Sequence, residues 1–159
     1  MKTLPQALQI HAGPRALASL RAQGLRAQDV RAVPAAAGGP KGLTLSPLDR
    51  FLFGRWLSGA GPSVHLVGAS IGAWRMACAT LADADAALRR LTADYIDASY
   101  DPPTGERQSA GNISRRFGEL LHSHFDGRAG EVLGHPRFRL HVVTSRGRRG
   151  LLHREGRFR

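Results

Sequence analysis

The stretch that decides the fold is Val64-His-Leu-Val-Gly-Ala-Ser-Ile-Gly-Ala-Trp74, VHLVGASIGAW. Its first part, within SVHLVG, is a short apolar run that predicts a buried β-strand. The residues that follow Ser70, IGAWRMACATLA, are small and apolar and predict a helix able to pack closely on a sheet. Strand, turn and helix therefore meet at Ser70, which stands between Gly68 and Gly72. The Gly-x-Ser-x-Gly pattern carries chemical meaning only in that context. A serine presented at such a turn has a strained backbone, and flanking glycines let strand and helix approach without a Cβ clash. Ser70 is the candidate nucleophile, with Gly68 and Gly72 forming the elbow.

A second glycine loop lies upstream. AAAGGPKGLTLS also follows an expected strand and also opens toward a helix. If the two strands are neighbours, the loops lie side by side. The N–H groups of Gly38, Gly39 and Lys41 then share a concavity with the N–H of Ile71, as an oxyanion hole requires. Pro40 has no N–H and only shapes the loop. A dinucleotide site is excluded, because Ala37 replaces the first glycine of G-x-G-x-x-G and Asp49 stands too close to hold a ribose. A phosphate-binding Walker loop is excluded because Lys41 is followed by Gly42.

Working outward, GPRALASLRAQ (Gly13 to Gln23) predicts a helix closed by Gly24. DVRAVPAAAGG (Asp29 to Gly39) predicts a short buried strand, with Pro34 arguing for an edge position. A helix is expected through LTLSPLDRFLFGRWL, starting at Ser46 with Pro47 in its first turn. Further helices are expected over Ala84 to Ser99 and Ile113 to Phe125, separated by the turn-rich YDPPTGERQSAGN. A third strand is expected over Arg137 to Ser145. This order predicts one α/β domain over residues 1–159: a three-layer α/β/α sandwich on a mostly parallel sheet, with functional loops beyond the carboxyl ends of its strands.

Composition agrees with that class. At 42% hydrophobic and 6% aromatic, the core must rest on Ala, Leu, Val and Ile. The lone Cys78 rules out an internal disulfide and is expected to be buried filler. No targeting segment is visible, and Arg75 argues against a membrane span over Val64 to Ala82, so a cytoplasmic protein is expected. The net charge of +11 is almost all arginine, crowded only at Arg146, Arg148, Arg149, Arg154, Arg157 and Arg159. That tail, residues 146–159, lacks interleaved aromatics and any helix-turn-helix or zinc-finger spacing, so nucleic acid is not the expected partner.

AGGPKG followed by GASIGA resembles the patatin-like phospholipases, over roughly Val30 to Leu81. The resemblance implies a lipid esterase with Ser70 as nucleophile, Gly38, Gly39 and Lys41 as the oxyanion loop, and no metal or cofactor. It implies a lipid or other carboxylic ester as substrate, with peripheral membrane contact. Ala37 departs from the family's first glycine but still offers an N–H.

The family's base is an aspartate in a downstream Asp-Gly-Gly or Asp-Gly-Ala motif, and none exists here. The one Asp-Gly is Asp126-Gly127, in LLHSHFDGRAGEVL, which reads as helix end and turn. Asp126 is thus a poor candidate base. The expectation is a chain that ends before the aspartate, represents the N-terminal half of the domain, and has a basic tail lacking its continuation. Two alternatives stay open: a non-catalytic remnant that binds lipid or an acidic partner, and a Ser-His acyltransferase drawing on His122, His124, His135, His141 or His153. His122 and His124, two apart on a helix, do not make a metal pair. His65 is expected to be packed within its strand.

Overall fold

The computed structural model describes residues 9–98 and 109–146. The chain divides into two compact units, residues 1–30 and 31–159. The turn-rich segment around Pro102, Pro103 and Gly105, the arginines beyond Arg146, and His153 lie outside the described residues.

In the first unit, helix α1 (Pro14–Gln23) starts on a proline and is closed by Gly24 at φ +72, whose N–H donates to the Leu20 carbonyl at 2.9 Å. This left-handed residue satisfies an otherwise orphaned helix-end carbonyl. A single 3₁₀ turn follows at Ala27–Asp29.

The second unit is built on three parallel strands, β1 (Ala32–Ala35), β2 (Val64–Ala69) and β3 (Phe138–Val143), in the order β1-β2-β3. The register places Ala35 beside Gly68 and Val64 beside Phe138. Between β1 and β2 run a 3₁₀ segment (Gly39–Leu45), α2 (Ser46–Phe51) and a π-helical turn (Leu52–Trp56). After β2 come α3 (Ile71–Cys78), α4 (Ala84–Asp97), α5 (Ala110–Phe125) and α6 (Ala129–Gly134).

One face of the sheet makes the core. Val64 and Leu66 are fully buried, as are Phe53, Met76, Leu88 and Leu91. Phe53 meets Phe138 edge-on, ring centroids 5.7 Å apart. Helix α3 touches all three strands, and α4 buries Ala84, Ala87, Leu88 and Leu91, the spacing of one helical stripe. His65 falls on the alternate positions of β2. It is exposed rather than packed, and its Nδ1 lies 2.8 Å from Nε2 of His141 on β3. The expectation of a packed His65 fails because strand periodicity of two sends it to the face opposite Leu66.

Pro34 sits on an edge strand, as its missing N–H requires. His65 N–H donates to the Arg31 carbonyl, so the polar groups of Arg31, Val33 and Ala35 face β2 and those of Pro34 face away. The strand is shorter and more exposed than DVRAVPAAAGG implied, with only Ala35 buried. Downstream, the expected turn after α5 contains the short helix α6. Arg128 bonds Glu131 at 2.7 and 2.9 Å and also Asp83, and Glu131 accepts the Ala82 N–H, holding this turn to the α3–α4 connection.

Two further arginines are structural. Arg137, 6% exposed, donates to the carbonyls of Leu57, Gly59 and Pro62, neutralising the carboxyl end of the α2 and π-helical segment. Arg90 on α4 donates to the Ser123 and His124 carbonyls and to Nδ1 of His124. His124 is fully buried between the two helices, its Nε2 3.0 Å from an Asp94 carboxylate oxygen but without hydrogen-bond geometry. Burial, with Arg90 adding to it, pushes this imidazole below its ordinary pKa, and Asp94 offsets only part of that.

Candidate active site

Ser70 is the one non-glycine residue at positive φ among the described residues, with φ 51 and ψ −129. It joins β2 to α3 in a single step. Its carbonyl already accepts from the N–H groups of Ala73 and Trp74, at 2.8 and 3.3 Å, so the helix begins immediately after the turn. A side chain in this region of φ/ψ space costs on the order of 1–3 kcal/mol, held in place by its surroundings. The hydroxyl is thereby left exposed at the carboxyl edge of the sheet.

The two flanking glycines are imposed by backbone contact. A Cβ at Gly68 would stand 2.5 Å from Ala73 Cα and 2.6 Å from its nitrogen. At Gly72 it would fall on the carbonyl oxygen of Ala35. The end of β1 thus lies directly against the first turn of α3, which puts the two glycine loops next to each other. Gly42 shows the same closeness, since a Cβ there would stand 2.9 Å from Ile71 Cγ2.

Within the upstream loop, Gly38 has φ 174 and ψ 5 and Gly39 is left-handed (φ 54), after which the chain turns as a 3₁₀ helix. Lys41 is exposed, and its carbonyl accepts from Thr44 Oγ1 at 2.8 Å. The N–H of Ile71 opens α3 and has no partner inside the helix, as for any first-turn residue. Elbow, Ile71 and loop therefore form one cluster at the carboxyl ends of β1 and β2.

A buried ion pair clamps that cluster. Arg75 on α3 holds Asp49 on α2 through two bonds, Nε to Oδ2 at 2.6 Å and Nη2 to Oδ1 at 2.8 Å. Each loop leads into one of these helices, so the pair fixes the loops against each other. In the sequence, Arg75 argues only against a membrane span and Asp49 only against a ribose site; a pair 26 positions apart gives no local signal.

A cavity of about 190 Å³ opens beside the serine, lined by Ser70, Ile71, Trp74, Tyr95 and Phe117. Trp74 stands one helical turn beyond Ser70, a spacing that could have pointed to it. Tyr95 and Phe117 come from α4 and α5, and only packing brings them there.

No base is assembled on the serine. Among the described residues, the Ser70 hydroxyl has no bonded carboxylate or imidazole. Asp126 caps the end of α5 and lines a different hollow, with Leu121, His122, Phe125 and Gly127. It lies nine residues past Phe117 along the chain, roughly 13 Å by helical rise. The histidines are engaged elsewhere: His124 between α4 and α5, His135 stacked on Phe138, and His141 beside His65. No group of three or more potential metal ligands occurs among the described residues, and no described helix is long and apolar enough to cross a membrane.

No family model, curated protein or solved structure matches the chain.

Proposed function

We propose that this chain carries the nucleophile of a patatin-like serine acyl hydrolase acting on carboxylic esters of lipids. The observation that carries the reading is the backbone of Ser70, at φ 51 and ψ −129 between two glycines whose Cβ positions are occupied by backbone atoms. A serine serving only as a small turn residue would not require that strain, because glycine would relieve it. The resemblance of AGGPKG and GASIGA to the family supports the same assignment, and with it a three-layer sandwich to which the parallel sheet and its helices belong.

In this mechanism the Ser70 oxygen attacks the ester carbonyl carbon while its proton passes to the base. The N–H groups of Ile71, Gly38 and Gly39 hold the oxyanion, with Lys41 at the rim of the loop. Collapse breaks the carbon–oxygen bond to the alcohol, which leaves with the proton. Water then releases the acyl group. The base implied by the resemblance is an aspartate, and the described residues do not furnish it.

Fluorophosphonate labelling of the 159-residue chain, read by intact mass with Ser70→Ala as control, tests the reading. A single adduct that disappears in Ser70→Ala is the expected result, since the elbow and the oxyanion N–H groups are present in this chain. A folded but unlabelled chain would overturn it in favour of a non-catalytic α/β module.

A further inference from the structure

The cavity beside Ser70 contains more information than the elbow itself. Three helices supply its walls: Ile71 and Trp74 from α3, Tyr95 from α4 and Phe117 from α5. Trp74 and Phe117 meet edge to face, ring centroids 5.6 Å apart and planes at 86°, and Tyr95 lies 6.3 Å from the same Phe117 ring. Aromatic rings in mutual contact have few ways to move, so the packing of these helices shapes the space. Among the described residues, the lining side chains bring no charge.

Size sets the occupant. An apolar cavity of about 150 Å³ holds a single benzene ring, and the space here is about 190 Å³. A group of roughly six carbons fills it, and the rest of a longer chain would extend past it into solvent. Position sets which part of the ester enters. During acyl transfer the alcohol departs, whereas the acyl group stays bonded to the serine oxygen until water arrives. A pocket that includes both Ser70 and Ile71 is placed for the group that stays.

We infer that this cavity is an acyl subsite for short chains of about four to six carbons, with Phe117 and Trp74 as its specificity-determining walls. The inference rests on the acyl-hydrolase reading for the bond that is cut, but the pocket is testable without catalysis.

Two tryptophans are present, Trp56 and Trp74, so the 159-residue Ser70→Ala, Trp56→Phe protein reports from Trp74 alone. Titration with methyl butyrate, methyl hexanoate and methyl decanoate should give a saturable change in emission. Affinity should rise about fourfold per methylene up to hexanoate, and decanoate should gain nothing further. In the same background Phe117→Ala should move the optimum to longer chains, and the milder Phe117→Leu should move it in the same direction. A steady rise through decanoate, no saturable change in a folded protein, or a chain-length profile unaffected by either Phe117 substitution would each overturn the inference. Fluorophosphonate labelling separates the two readings. Selective hexanoate binding without labelling removes the hydrolase and leaves the short-acyl pocket; labelling without a chain-length optimum removes the pocket and leaves the hydrolase.

Discussion

Arg75 and Asp49 are joined in a bidentate ion pair, with only 7% and 5% of their side chains exposed, across the two helices that follow the two glycine loops. Geometry of this kind is the condition under which a buried pair recovers its desolvation cost. Removal of one partner leaves an uncompensated buried charge. Arg75→Met is expected to lower stability by about 3–5 kcal/mol in urea unfolding. The double variant Asp49→Leu, Arg75→Met should recover much of that loss. If the single and double variants lose equal stability, the pair is not what holds the helices.

The elbow glycines make a second, steric prediction. Gly72→Ala puts a methyl on the Ala35 carbonyl, and Gly68→Ala puts one 2.5 Å from Ala73 Cα. Each should cost about 1–3 kcal/mol or more, since backbone rather than a flexible side chain must give way. Gly118, inside α5, would place its Cβ in open space. Gly118→Ala should therefore stabilise the fold by about 1 kcal/mol. Thermal unfolding of the three variants checks the contrast.

Ser70 itself should be a stability liability. Ser70→Gly releases the positive-φ strain, while Ser70→Ala keeps it. After the entropy cost of glycine, about 0.5–1 kcal/mol, the glycine variant should still unfold at higher denaturant than the alanine variant. Neither should label with a fluorophosphonate. Equal midpoints would mean that the turn is not strained.

Cys78 is fully buried, and burial pushes its thiol from the ordinary 9.0 up to about 12. Iodoacetamide should leave it unmodified at pH 8 in the folded protein and alkylate it once urea unfolds the chain. Because the folded state holds this proton more tightly, stability should fall as pH rises from about 9 toward 12. A Cys78→Ala variant should show a shallower alkaline slope.

His124 works in the opposite direction along the pH axis. Its pKa is held below the ordinary 6.5, chiefly by burial. The unfolded state binds this proton more readily, so the contribution is complete above about pH 6.5 and is lost as pH falls through the lower, folded value. His135, lowered by its own burial and by Arg139, has the same sign. The difference between wild type and His124→Asn across pH 7 to 4.5 isolates the buried imidazole; parallel stability curves would dispose of the prediction.

Local chemistry was legible where each signal sits within a few residues. Pro14 and Gly24 bound α1, Pro34 lies on an edge strand, and the apolar run before Ser70 with small residues after it places a strand, a turn and a helix. The α/β class and the parallel sheet follow from that order of elements. The short helix α6 was hidden by Gly127, Gly130 and Gly134, which read as a turn; Arg128 and Glu131 hold it instead through contacts with the α3–α4 connection.

What the sequence by itself determined is thus the elements, their class and the residue at the turn. Only the tertiary structure decided that the Gly72 position abuts Ala35, that Arg75 finds Asp49, that Trp74, Tyr95 and Phe117 line a space beside Ser70, and that Asp126 lies away from it. The reason is physical. Backbone conformation responds to neighbours three or four residues away, whereas a close approach, a buried charge pair or a cavity exists only when segments 20 or more positions apart are pressed together, and their contact energies depend on distances that no local pattern encodes.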